Sequence, residues 1–405
     1  MNTTSISALS DLRDLLRLST TAPIDKKIFV GFDGFVDKIK KAVKQKQNSN
    51  VEYYTTLNEF SERIQSATGK SGQIEMVTQR IKLGGNAPIL SNTLGKLGIH
   101  SYCVGSLGYP EKHAVFYGMN DRCNVISVLN PGESDAVEFD DGKFIFSELS
   151  VFDIYDWQYI KKTIDFEKLK AIILESQILA FVDWVNLPHA SDIWEGILSD
   201  IIKPSGKNDF LFLFDLCDPS KKSTEEIDEV LDLISCFSAY GKVTLGLNEN
   251  ETLTIWAALN GCDRKSQVPS VKEAGDFIYK TMKIDCLLVH PVDRTIAFQQ
   301  RDIIELQGRL VTKPKVLTGG GDNLNAGYCL GLLLNFSLPQ CMLLGMAASG
   351  AYIENGTSPT LADLISYIDI WIADLNKKHE SPKRVYAQRY QILNGKDTRD
   401  GLNSI

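Results

Sequence analysis

The sequence predicts an α/β fold: a mostly parallel sheet covered by helices on both faces, with a small β lid apart from it. Two observations predict it. Short apolar runs at Leu179 to Val182, Phe210 to Phe214, Val243 to Leu247 and Leu287 to His290 read as buried strands, and all but the last precede a helix-like stretch. Strands that are apolar throughout and alternate with helices belong to a parallel sheet buried on both sides. The second observation is residues 134–149, which read as two strands joined by Asp141-Gly142. That hairpin has no place in such a sheet and suggests the lid.

The other elements follow in chain order. Ile6 to Leu18 reads as an amphipathic helix, and Lys27 to Gly31 as a short buried strand. The Lys-rich stretch Lys38 to Lys46 reads as a solvated helix face. Residues 57–67 look helical, with Leu57, Phe60 and Ile64 on one side. Ile74 to Leu83 alternates as a strand, Asn92 to Leu97 belongs to a helix and His100 to Gly105 to a strand. The segment from Ser381 is polar and lacks an apolar period. This suggests one domain over 1–380, a lid inserted at about 38–83 and 110–150, and a polar tail at 381–405.

Composition narrows the function. The chain has 405 residues, 43% of them hydrophobic and 23% charged, as in an ordinary globular protein. Its net charge of -8 argues against nucleic acid as the main ligand, since phosphate backbones need clustered Lys and Arg. The eight cysteines form no CxxC pair and several lie in apolar runs, which suits a reducing cytoplasm better than a disulfide framework. No stretch is apolar enough to span a membrane, and no signal segment is visible. A homodimer stays open.

The strongest chemical signal is Leu317-Thr318-Gly319-Gly320-Gly321-Asp322-Asn323-Leu324-Asn325-Ala326-Gly327, just before an apolar helical run. Three glycines opening a helix let backbone N–H groups point at an anion. An acid directly after them repels a phosphate. It makes sense as a base that takes a proton from an attacking hydroxyl while the amides stabilise the transferring phosphoryl. The competing reading is an N-capping Asp behind a flexible loop. No Gly-Lys-Ser/Thr follows, so this is not a Walker A loop.

Gly319 to Asp322 with Asn325-Ala326-Gly327 resembles the C-terminal signature of the ribokinase-like (PfkB) carbohydrate kinases. Leu83-Gly84-Gly85-Asn86-Ala87-Pro88, with Leu94-Gly95-Lys96-Leu97-Gly98 beyond it, resembles that family's N-terminal signature. Asn248-Glu249-Asn250-Glu251 resembles its Asn-Glu-x-Glu motif. The resemblance covers residues 31–356. It implies a three-layer α/β/α sandwich with a β lid, and phosphoryl transfer from a nucleotide to a sugar-like polyol with Asp322 as base. Gly319, Gly320 and Gly321 would form the anion hole. Asn248, Glu249 and Glu251 would organise phosphates and Mg²⁺, with Glu251 acting on the metal through water. Asp37 or its rival Asp33, with Gly84, Gly85 and Asn86, would hold the acceptor, one of the two acids being a structural cap.

The pattern is not followed throughout. Val316 replaces the acid that often opens the C-terminal signature, and Gly320 its usual Ala. Pro291-Val292-Asp293-Arg294 stands where many members carry a Thr-x-Gly nucleotide loop. His290 and the long lead-in to Asn86 look more like the ADP-dependent sugar kinases of the same superfamily. ATP is the expected donor, with ADP the alternative. His290 is expected at the nucleotide or in strand-end packing, and Gly356 beside the adenine site. A nucleoside kinase, or a sugar-binding homologue with weak turnover, are the competing functions.

Overall fold

The computed structural model describes residues 5–19, 21, 24–47, 50–262, 268–300, 302–316 and 318–394, the side chains of the last helix only as far as 377. Among the described residues fourteen strands make two sheets. In chain order they are β1 (Lys27–Phe32), β2 (Phe35–Gln47), β3 (Asn50–Tyr53), β4 (Met76–Gly84), β5 (His100–Gly105), β6 (Cys123–Ser127) and β7 (Gly132–Phe139). They continue with β8 (Gly142–Glu148), β9 (Ile178–Val182), β10 (Phe210–Asp215), β11 (Gly241–Leu247), β12 (Cys286–Val289), β13 (Arg294–Gln299) and β14 (Asp302–Gln307).

The large sheet has the order β14-β13-β12-β11-β10-β9-β1-β5-β6. From β6 to β12 every pairing is parallel, and β13 and β14 add an antiparallel hairpin at one edge. The sequence reading missed that hairpin. Two apolar layers explain why helices cover both faces. One centres on Phe181, Trp194, Phe214 and Phe237. The other packs Leu94, Leu330, Leu344 and Trp371 against the opposite side. This is the expected three-layer α/β/α sandwich.

The chain leaves β1 toward β5 on one side and returns to β9 on the other, so the strand order reverses beside β1. In open parallel sheets, ligands bind outside the carboxyl ends of the strands at such a switch point. Those ends carry polar residues in spatial succession: Asp33 after β1, Asp183 after β9, Asp215 closing β10, Asn248 after β11 and His290 after β12.

The second sheet has five strands. β2 lies between β4 and β7 and also pairs with β3, while β8 pairs with β7. This corrects the reading of Lys38 to Lys46 as a helix face, because the stretch is the long strand β2. Val36, Ile39 and Ala42 are buried three apart, a spacing that mimics a helix. Val36 and Ile39 lie on opposite faces of the strand, so both faces are covered there; the register with β4 shifts only after Ile39, where β4 carries the extra residue Gln79. In the helix Leu57–Gln65, Phe60 is buried as expected while Ile64 is 52% exposed. The last helix, Leu361–Asn394, runs in its backbone into the segment expected as a polar tail; residues 395–405 lie outside the described residues. No described helix is long and apolar enough to cross a membrane.

Candidate active site

The glycine turn becomes a helix N-terminus in the structure. Gly319 is the N-cap of the helix Gly320–Leu333 and has φ 85°. A Cβ there would meet the Tyr352 hydroxyl at 2.9 Å as well as a strained backbone. Two asparagines fix the turn. Asn323 Nδ2 donates to the Gly319 carbonyl at 2.7 Å, and Asn325 Nδ2 donates to Asp215 Oδ2 at 2.7 Å. Asp322 is the third residue of this helix and only 6% exposed, and its Oδ1 is buried without a hydrogen-bond partner. Such an oxygen is costly unless something bound to it supplies a partner.

The second glycine motif is held by a neighbouring strand end. Gly85, φ 93°, starts the helix Asn86–Lys96 with no side-chain cap of its own. Asp33 provides the cap, accepting from the Asn86 N–H at 2.6 Å and the Ala87 N–H at 2.7 Å. Both its oxygens are used and the residue is fully buried. Of the two rival acids, Asp33 is therefore the one built into the scaffold. Asp37 lies on β2 with its Oδ1 accepting from Ser134 Oγ at 2.6 Å, and its carboxylate borders open space.

That space is a polar cleft of about 310 Å³. Of the residues singled out by sequence, Asp37, Gly85, Asn86, Asn248, Glu251, His290, Gly319, Gly321 and Asp322 line it. Gly84 adjoins it, a Cβ there falling 2.1 Å from Asp37 Oδ1. A larger cavity of about 530 Å³ continues from it, lined by Gly319, Gly320 and Gly321 and by apolar residues including Pro291, Leu310 and Met346. Asn248, His290 and the glycine turn border both and so mark the junction.

Two expectations fail. Gly356 borders neither cavity. It is the left-handed C-cap of the helix Leu338–Asn355, which is why it is glycine. Glu249 is exposed at the first turn of the helix Glu249–Leu259 and lines neither cavity, whereas Glu251 forms a capping box with Asn248 and borders the cleft.

The sequence reading missed Asp183 and Asn186, which also border the cleft. Asp183 has φ 57°, a turn that swings its side chain inward directly after β9. Its Oδ1 accepts from Asn186 Nδ2 at 2.7 Å and its Oδ2 is buried and unpartnered. An acid immediately after a buried parallel strand was the available signal.

Five carboxyls thus crowd one end of the sheet. Burial pushes Asp33, Asp183, Asp215, Glu251 and Asp322 above their ordinary range, with neighbouring carboxylates adding to the rise for most of them, and Glu251 is pushed up to about 8. Burial pulls the His290 imidazole down, although Asp215 opposes this. A carboxyl raised in the folded state contributes stability that is complete below its unfolded value and lost as pH rises through the folded value. Ligand-free protein should therefore melt at a lower temperature at pH 9 than at pH 7, a window in which His290 stays neutral in both states. Thermal scans across that window check it, and a flat or rising melting temperature would contradict the raised carboxyls.

The carboxylates that dominate the lining suit a hard cation such as Mg²⁺. Among the described residues no three His, Cys, Asp or Glu side chains cluster closely enough to hold a bare ion. Glu251 also has both oxygens engaged by Asn248, at 2.8 and 2.7 Å. The fit is to an ion held through water and phosphate oxygens, beside Glu251 and Asp215.

A family model described as prokaryotic ketohexokinase matches residues 9–371. The chain belongs to that family. It is accordingly a carbohydrate kinase. A ketohexokinase of Haloferax volcanii is 22% identical over 344 residues, covering 84% of this chain and 90% of that protein. Among solved structures, Arabidopsis thaliana ribokinase complexed with ribose and ATP aligns with a TM-score of 0.58 at 14% identity, over 86% of this chain and 99% of that one. A carbohydrate kinase from Agrobacterium tumefaciens aligns at 0.57 and 14%, over 85% and 97%. A nucleoside kinase from Methanocaldococcus jannaschii aligns at 0.54 and 15%, over 85% and 98%. These likenesses place the fold among the ribokinases.

Proposed function

We propose that the protein moves the terminal phosphoryl of ATP to a hydroxyl of a ketohexose, with Asp322 as the base. The observation that carries this reading is the meeting of a small polar cleft and a larger apolar cavity at the Gly319 turn, with the unpartnered Asp322 Oδ1 buried beside it. The acceptor lies in the polar cleft against Asp37 and Asn86. The nucleotide base lies among Pro291, Leu310 and Met346, and its phosphates reach the amides at the Gly320–Leu333 helix N-terminus. The ketohexose is suggested by the name of the Haloferax volcanii relative, and ATP by the ribokinase complexed with it.

The chemistry follows from these positions. Asp322 takes the proton of the attacking hydroxyl, and its raised proton affinity makes it the stronger base near neutral pH. The glycine amides stabilise charge on the transferring phosphoryl. Glu251 and Asp215 would hold Mg²⁺ through water, and the ion would supply the positive charge that donor phosphates need beside these carboxylates. Asn323 and Asn325 position the turn without touching the reacting atoms.

A nucleoside acceptor is disfavoured by the cleft lining. Its one benzene ring, Phe35, is 7% exposed and packs edge-to-face with Phe152 at 5.4 Å between centroids, so it presents little surface for a base to stack on. The test is nucleotide consumption with ketohexoses, aldoses, pentoses and nucleosides, each with ATP or ADP and with or without Mg²⁺. Turnover is expected with a ketohexose, ATP and Mg²⁺ together. Turnover confined to nucleosides, undiminished turnover without the metal, or none at all would overturn the reading. Faster turnover with ADP would replace the donor alone.

A further inference from the structure

Apart from exposed Lys41, which lies over the Tyr53 ring, the cations of the five-stranded sheet fall into two groups. Lys38 pairs with Glu133. Lys40 lies 2.5 Å from Asp135, Lys44 3.0 Å from Glu59 and Lys46 2.5 Å from Glu75. Each of these four has a carboxylate of its own. Arg80, Lys82 and Lys143 do not. Among the described residues Arg80 and Lys143 have no carboxylate within ion-pair distance, and Lys82 has only a long pair, 3.9 Å from Asp37 Oδ2.

The strand registers put these three on one face. Ser134 pairs with both Asp37 and Ser147, and all three border the cleft. Lys82 lies opposite Asp37 on β4, and alternation puts Arg80 on the same side. On β8, Ile145 and Ser147 border the cleft, so Lys143 shares their face. Their reach agrees with this. The Lys82 charge acts on the Asp322 carboxylate, and the Arg80 charge acts on the Tyr352 phenol, whose hydroxyl abuts Gly319. Lys143 is half-buried near Lys82 and is pushed down to about 8, mostly by desolvation.

Lys82 and Lys143 repel each other, offset only by Glu138 opposite Lys143 and by the long contact to Asp37, so this side of the cleft suits an anion. A neutral sugar brings none. We propose that Lys82, flanked by Arg80 and Lys143, grips the phosphoryl group from the lid side as it passes to the sugar, and holds the phosphate of the phosphorylated sugar afterwards. The inference rests on the phosphotransfer reading above. Lys82 stands near both the acid at the acceptor and the base, where the transferred group comes to lie. The glycine amides and Mg²⁺ act on that group from the donor side, and Lys82 completes the neutralisation from the opposite side. A compact ammonium suits a group whose charge is spread over three oxygens.

The test compares Lys82→Gln, Lys82→Arg and, as a control in the same sheet, Lys38→Gln. Lys82→Gln should lower kcat roughly 10²-fold, as for loss of one donor to a developing anion, with the sugar KM little changed. Calorimetric affinity for fructose carrying phosphate at either terminal carbon should fall about tenfold or more, in keeping with a lost charge-assisted contact. Lys82→Arg should recover part of both effects, and Lys38→Gln should match wild type. Unchanged affinity for both fructose phosphates overturns the proposal, and this readout does not depend on turnover. A kcat that is kept while the sugar KM rises assigns Lys82 to orienting Asp37 and also overturns it. Wild-type turnover of sugar acids or sugar phosphates in preference to neutral sugars overturns it too, because the cluster would then read an anion the acceptor itself carries. Failure of the phosphotransfer reading is seen separately, as absence of wild-type turnover on any sugar.

Discussion

Replacing Asp322 by Asn is expected to lower kcat by roughly 10²–10⁴-fold, the usual contribution of a general base, while the protein stays folded and binds nucleotide at least as well. The change keeps shape and removes the proton acceptor. It also removes a charge that burial and the nearby Asp215 and Asp183 already disfavour, so the melting temperature at pH 8 should hold or rise. The carboxylate repels incoming phosphates, so its loss does not weaken the donor complex. A helix cap would behave differently. Asn caps helices about as well as Asp, and activity would then survive. Turnover and melting temperature measured on the same sample separate the two cases. A stable variant keeping more than about a tenth of wild-type kcat, far above the general-base range, would end the assignment. The same raised proton affinity predicts that activity falls toward acidic pH as Asp322 is protonated.

Replacing Asp37 by Ala should leave nucleotide affinity intact and raise the sugar KM. A hydrogen bond to a charged group contributes about 1.5–3 kcal/mol, so kcat/KM for the sugar should fall roughly 10- to 150-fold. The geometry singles out this acid because its carboxylate faces the cleft, with Gly84 leaving it room. Asp33→Asn should act elsewhere. Both Asp33 oxygens accept from backbone N–H groups, and an amide nitrogen would turn one of those bonds into a donor–donor clash. That variant should lose stability first. An Asp37→Ala enzyme with a sugar KM within twofold of wild type would leave this acid without a binding role.

The candidate site was legible in the sequence where its signals are local. The Gly319-Gly320-Gly321-Asp322 turn, Gly85-Asn86 and Asn248 to Glu251 each combine a glycine or cap signal with a polar residue at an element boundary. Those signals are fixed by backbone conformation within a few residues. The buried strands of the large sheet were equally visible, because strands covered on both faces must be apolar throughout. Where the local signal was ambiguous, the reading failed. Burial on both faces gave β2 a helix-like spacing. Gly356 looked like a site glycine and is a helix cap.

The sequence by itself determined the α/β class, the candidate base and the glycine turns, since each depends on residue type and near neighbours. Tertiary structure alone decided the rest. It brought strand ends at Asp33, Asp183, Asp215, Asn248 and His290 side by side, in an order set by strand pairing rather than by chain distance. It gave Asp33 two amides to cap and left Asp37 facing the cleft. It also paired Lys38 and Lys40 with acids on β7 while setting Lys82 beside Asp37, with Arg80 and Lys143 on the same face of the sheet. In one dimension these are all lysine-rich, solvated strands. The pleat and the register sort them, because a side chain's face and partner depend on which strand lies opposite.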